Sequence, residues 1–236
     1  MRTPCIIWGM RDFTLLGETH REGPLVSLRF HPRLPLLSAL DPTRDQGWVW
    51  TWDGDGALHS VARVGSGRRD RGRWDDLKTH LPYWINSAWH PTLPLLALSG
   101  LDGSVDLWAV EETGGEPGSR RLCDGALGAR CLSFTHSGDA LWVGGHIRHP
   151  TSGDYFSHLV DLQGKVLSRM LGCDTDIALH PEGELLASFV SDQGATLLRF
   201  ARAPDGRGHD GLEMFDRALI IDVDGYEGLV FSPSGD

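Results

Sequence analysis

His146, His149 and His158 are the residues whose type and proximity most suggest chemistry. Imidazole binds zinc, but a zinc site needs three or four N, S or O ligands in tetrahedral reach. No cysteine or carboxylate completes such a set here, and His146 and His149 read as parts of one connecting loop, so no metal centre is expected. Asp222-Val223-Asp224-Gly225 has the opening of a calcium loop without its later ligands or closing glutamate, and reads as a turn after a strand. Cys5, Cys123, Cys131 and Cys173 form no C-x-x-C pair, which points to free thiols in a reducing compartment rather than to a disulfide framework. No G-x-S-x-G, phosphate-binding or dinucleotide-binding glycine motif occurs. Neither a catalytic residue nor a cofactor is assigned.

A second group is built for recognition instead. Arg68, Arg69, Arg71 and Arg73 run into Trp74, with Tyr83 and Trp84 close behind. Arginine and aromatic side chains are the residue types that carry most binding energy at protein interfaces. The same arginines suit phosphate, but Asp70, Asp75 and Asp76 interleave with them, and the whole chain has a formal charge of −10. A protein or peptide partner is therefore favoured over nucleic acid. No apolar run approaches the length of a membrane span and no secretory leader pattern opens the chain, so the cytoplasm is the expected location.

The elements that hold these residues come from a repeat. An apolar–x–apolar phrase followed by His, Ser or Thr and then a turn occurs five times, ending at Phe30-His31-Pro32, Trp89-His90-Pro91, Phe134-Thr135-His136, Leu179-His180-Pro181 and Phe231-Ser232-Pro233. The anchors Phe30, Trp89, Phe134, Leu179 and Phe231 are 59, 45, 45 and 52 residues apart. Four-stranded propeller blades repeat at about 40–45 residues, with insertions in their loops. The expected fold is all-β: a β-propeller of four-stranded antiparallel blades, with four full blades and partial first and last ones. The blades fall at about 1–24 (partial), 25–64, 84–123, 129–170, 175–223 and 226–236 (partial), all within one domain. Because the last copy stops at the turn after its first strand, the chain is expected to be a fragment of a longer propeller. His31, His90 and His180 occupy equivalent repeat turns and are expected to be structural.

Within the second copy, Leu98-Ser99-Gly100-Leu101-Asp102-Gly103-Ser104-Val105-Asp106-Leu107-Trp108 resembles the WD-repeat family of β-propellers, and His80 stands where that family places a histidine before the first strand. The resemblance implies a structural hydrogen-bond network of His80, Ser99, Asp102 and Trp108. The fourth copy keeps Ser188 and Asp192 but has Phe200 in place of tryptophan, and the third ends its third strand in Leu159-Val160-Asp161-Leu162. In the family, loops joining second to third strands, and each fourth strand to the next blade, share one face. That placement implies a docking rim of Arg44, Arg68, Arg69, Arg71, Arg73, Trp74, Tyr83, Trp84, Arg148, His149 and Tyr155. The function implied is a non-catalytic protein-interaction scaffold. The alternatives are a metal-dependent hydrolase or lactonase of propeller fold, or the sensor portion of a larger signalling protein. A metal in the central channel would need acidic or histidine side chains from several blades, whereas the first strands offer Val26, Ser87, Leu132 and Ile177.

Overall fold

The apolar phrases fold as strands, and every helix or strand among the described residues is a strand. The computed structural model describes residues 2–8, 15–22, 26–41, 46–52, 58–65, 86–100, 103–111, 115–124, 129–145, 156–171, 177–180, 185–192 and 195–202. The expected strands near 212–223 and 226–231 lie outside them.

β1 (Arg2–Trp8) and β2 (Leu15–Glu22) form a two-stranded antiparallel sheet with Arg2 opposite Glu22. The first four-stranded sheet is β3 (Val26–Phe30), β4 (Leu36–Asp41), β5 (Gln46–Trp52) and β6 (Leu58–Val64), in chain order. The second is β7 (Ser87–Trp89), β8 (Leu95–Ser99), β9 (Val105–Ala109) and β10 (Gly118–Cys123). The third is β11 (Ala129–Phe134), β12 (Ala140–Gly145), β13 (Phe156–Asp161) and β14 (Val166–Leu171). β15 (Ile177–Leu179), β16 (Leu185–Asp192) and β17 (Ala195–Arg202) form the last described sheet. Among the described residues no helix is long and apolar enough to cross a membrane.

Strand composition follows position in the sheet. All six residues of β4 are buried, as are the last four of β8. A strand covered on both faces can be apolar at successive positions, which gives near-continuous runs such as Leu95-Leu96-Ala97-Leu98. The outer strand β10 is mostly exposed and β6 is exposed at three of seven positions; Arg63, Arg120 and Arg121 face water there, and charge on an edge strand discourages pairing with other chains.

The chain divides into two compact units, one of residues 1–101 and 106–120, the other of residues 102–105 and 121–236. In the first, alternate residues of β4 serve two cores. Leu36 and Leu40 pack with Val49 and Val64 against Trp89, Leu96 and Leu98 of the second sheet and Val110 just after β9. Leu37 and Ala39 face the other way, onto Trp48 and Trp50, with Trp52 and Leu58 at the margin. Each fully buried side chain of this size contributes about 1.5–3 kcal/mol. In the second unit Cys131, Ala140, Trp142 and Leu159 pack with Ile177. Gly144 fits this core because it has no side chain: a Cβ there would lie 2.0 Å from Cys131 Sγ. Gly164, at φ 91°, turns β13 into β14, where a Cβ would meet the Leu122 carbonyl oxygen at 2.4 Å.

One turn recurs with two chemistries. After β3, the His31 N–H donates to Leu36 O at 2.8 Å, while His31 Nδ1 accepts the N–H groups of Arg33 and Leu34, each at 3.0 Å. A nitrogen that accepts two N–H groups carries no hydrogen, so the ring hydrogen is on Nε2, which donates to Leu93 O at 2.9 Å. His90 repeats the cap after β7: Nδ1 accepts from Thr92 N at 3.1 Å and Leu93 N at 3.0 Å, and its own N–H donates to Leu95 O at 2.8 Å. After β11 the same position is Thr135. Its N–H donates to Ala140 O at 2.9 Å, its hydroxyl accepts Ala140 N–H at 3.2 Å and donates to Asp139 Oδ1 at 2.8 Å, and Gly138, at φ 79°, closes the loop.

Candidate functional site

Successive strands of a meander run in opposite directions, so the connection from second to third strand and the one from fourth strand to the next sheet leave from the same end. In the first unit these are 42–45 and 66–85. The same end holds the starts of β3 and β7 and the close of β8. The roots of the 42–45 connection are firm: Asp41 is wholly buried and stands opposite Gln46 in the ladder. Gly47 packs so closely that a Cβ would come within 2.6 Å of Leu40 Cδ2.

The expected rim residues Arg44, Arg68, Arg69, Arg71, Arg73, Trp74, Tyr83, Trp84, Arg148, His149 and Tyr155 all lie outside the described residues, as do His80 and Asp102 of the expected network. Ser99 and Trp108 are described, and they are not hydrogen-bonded to each other. Ser99, fully buried, is committed to Asn86: its hydroxyl accepts Asn86 N–H at 2.7 Å and donates to Asn86 O at 3.2 Å, and its own N–H donates to that carbonyl at 3.0 Å. Trp108 Nε1 is buried and has no hydrogen-bond acceptor among the described residues.

At this end of the first unit the structure gathers polar residues that the repeat pattern did not mark. Ser27 has φ 52°, left-handed for a non-glycine residue, where the β3–β4 ladder shifts register between Val26 and Arg29. Such a conformation costs about 1–3 kcal/mol and persists only where surrounding bonds hold it. The bonds are visible. Ser27 Oγ–H donates to Asn86 Oδ1 at 3.0 Å, and Ser87 N–H donates to Asn86 Oδ1 at 2.8 Å and to Ser27 Oγ at 3.2 Å. Because Ser27 has already given its one hydroxyl hydrogen, the 3.2 Å contact between the Ser27 and Ser87 hydroxyls has Ser87 as donor. The result is a directional chain from Ser87 through Ser27 to the Asn86 carboxamide, joining the first strands of two sheets.

At the opposite end the same two strands are joined again. His31 Nε2 reaches Leu93 O, the His31 ring lies 5.3 Å from that of Trp89, and Trp89 Nε1 donates to Arg29 O at 3.1 Å. With the apolar core between them, the first and second sheets are fastened at both ends. Among the described residues no group of three or more His, Cys, Asp or Glu side chains is placed to hold a metal ion. His158 is buried in β13, opposite Val143 and Arg169, a strand position rather than a loop one. Ser87 was visible in the sequence as a polar first-strand start. Nothing in the sequence marked Ser27 or Asn86, because neither a left-handed serine nor an oriented carboxamide has a residue-type signature.

No family model and no curated protein sequence matches the chain. Solved structures do match. The WD40 domain of Toxoplasma gondii coronin superposes with a TM-score of 0.63 at 14% identity, over 98% of this chain and 57% of that one. The Dos1 propeller gives 0.61 at 14%, over 98% and 54%. Kuenenia stuttgartiensis hydrazine synthase gives 0.58 at 11%, over 86% and 51%. The chain spans about half the length of each of these. The shared feature is the fold, a β-propeller of antiparallel blades, with WD40 domains among the matches.

Proposed function

We propose that this β-propeller is a non-catalytic scaffold that docks a protein or peptide, in the cytoplasm, through the loops leaving the end of the blades where Ser27 and Asn86 meet. The observation that carries the reading is the match of 98% of the chain to a WD40 propeller, together with connections 42–45 and 66–85 rooted at one end of a doubly fastened pair of blades. Rigid strands with variable loops let recognition change without changing the fold. The 66–85 connection supplies Arg68, Arg69, Arg71, Arg73 and Trp74, and ends with Tyr83 and Trp84; Arg44 lies in 42–45. In the second unit the corresponding second-to-third-strand connection is 146–155, with Arg148, His149 and Tyr155. Propeller folds serve both WD40 domains and a hydrazine synthase, so fold alone does not assign the role, and the loop chemistry is what favours docking.

The test is affinity capture with mass spectrometry, wild type against the Trp74→Ala/Arg71→Ala double variant. The expected result is a reproducible set of captured proteins lost in the variant, whose circular dichroism and melting temperature match wild type. Unaltered capture would move the docking surface away from these loops.

A further inference from the structure

Asn86 is the single asparagine of the 236-residue chain, and a serine follows it. Ser87 N–H, a group that can only donate, lies 2.8 Å from one terminal atom of the Asn86 side chain, so that atom is Oδ1. The side chain is therefore folded back toward the next backbone nitrogen rather than turned away from it. Joining that nitrogen to Asn86 Cγ closes a five-membered ring, and groups held together in this way react as if highly concentrated. Ser27 stands against both partners. Its Oγ–H donates to Asn86 Oδ1 at 3.0 Å, and its Oγ accepts the Ser87 N–H at 3.2 Å. One hydroxyl thus touches the hydrogen that the nitrogen must lose and the oxygen that must gain one. The left-handed backbone of Ser27, at φ 52°, is what brings the hydroxyl there.

We propose that Asn86 is a self-modification site, at which Ser27 promotes deamidation through a cyclic imide with water as the co-reactant. The Ser87 nitrogen bonds to Asn86 Cγ as its hydrogen passes to Ser27 Oγ and the Ser27 hydroxyl hydrogen passes to Oδ1. The tetrahedral carbon then carries a hydroxyl and an amino group. The hydroxyl hydrogen moves to Nδ2, the Cγ–Nδ2 bond breaks, ammonia leaves and the imide remains. Water opens the imide at either carbonyl, giving aspartate or isoaspartate, so that one water is consumed for each ammonia released. The Ser27 bond to Oδ1 strengthens as charge gathers on that oxygen, which is how a fixed donor lowers such a barrier. Asn86 is half-buried, so the residue keeps part of its surface open to the solvent that supplies water and takes up ammonia. The isoaspartate product has an extra main-chain carbon directly before β7. It also sets a charge between the first strands of two sheets. Both changes loosen the clamp that Ser99 makes on the Asn86 N–H and C=O.

The test compares the folded chain with the same chain unfolded in guanidinium chloride, both kept at one mildly alkaline pH and temperature. Deamidation is followed by peptide mapping with mass spectrometry, and isoaspartate by isoaspartyl methyltransferase labelling of the peptide that contains residue 86. With no other asparagine in the chain, the conversion is read at one peptide. A cluster that merely held Asn86 still would slow the reaction relative to the unfolded chain, so the two roles differ in sign. The expected result is a folded-state rate about ten-fold above the unfolded one. Ser27→Gly adopts the positive φ without strain and has no hydroxyl, and its rate should fall back to near that of the unfolded chain. A folded wild-type rate equal to or below the unfolded rate would overturn the proposal. So would a Ser27→Gly variant, shown to be folded by circular dichroism, that deamidates as fast as wild type.

Discussion

Replacing His31 by alanine tests how the first two blades are fastened. The substitution removes three hydrogen bonds at once: the two N–H groups of Arg33 and Leu34, each 3.0 Å from Nδ1, and the 2.9 Å bond from Nε2 to Leu93 O. The site is only 4% exposed, so water does not readily replace them. At about 0.5–1.5 kcal/mol net per bond the loss is about 1.5–4.5 kcal/mol, with further loss from the ring contact to Trp89. His31→Asn separates the parts. Its Oδ1 can cap the turn as Asx residues do, but its shorter side chain does not reach Leu93, so about 1 kcal/mol of loss should remain. Urea unfolding followed by far-UV circular dichroism gives these differences from the midpoints at constant slope. Amide exchange at Arg33 and Leu34 should quicken in the alanine variant and recover in the asparagine one. A His31→Ala loss under about 0.5 kcal/mol, with exchange unchanged at both amides, would refute the account of the turn.

Other expectations follow from the second unit. Gly144→Ala forces a methyl onto Cys131 Sγ and should cost about 1–3 kcal/mol, with a large part restored in the Cys131→Ala/Gly144→Ala double variant; failure of that rescue in urea melts would show that the clash lies elsewhere. The Asp139 carboxyl is held below its ordinary value by hydrogen bonds from Ser137 and Thr135. Its contribution to stability is therefore present above the ordinary carboxylate range and lost as pH falls through the lowered folded value. Asp139→Asn should lose stability at neutral pH and show a shallower acid limb than wild type, measured as melting temperature against pH.

The architecture was readable because the blades impose a simple demand. A second strand covered on both faces is apolar at most successive positions, and Leu36-Leu37-Ser38-Ala39-Leu40, with one buried serine, and Leu95-Leu96-Ala97-Leu98 are, so their positions could be read to within a residue or so. The turns were readable for a related reason: each anchor phrase ends in a side chain with a lone pair, imidazole at His31 and His90, hydroxyl at Thr135. The polar cluster was not readable. Ser27 enters the left-handed region because the ladder slips beside it, a tertiary event with no trace in residue type. Ser99 belonged to an expected four-residue network whose His80 and Asp102 lie outside the described residues; its hydroxyl also meets the Asn86 backbone, a neighbour that only the register of β7 and β8 brings near.

The uneven placement of tryptophan between the two units decides what light can report about this molecule. Of the nine indoles, eight (at positions 8, 48, 50, 52, 74, 84, 89 and 108) belong to the unit of residues 1–101 and 106–120, and Trp142 alone belongs to the other. Intrinsic emission during denaturation will therefore follow the first unit almost exclusively, while the amide signal of circular dichroism follows both. Agreement between the two curves means one cooperative transition. Emission that moves early or late measures the separate stability of the unit that holds the indoles, without a label or a truncated chain.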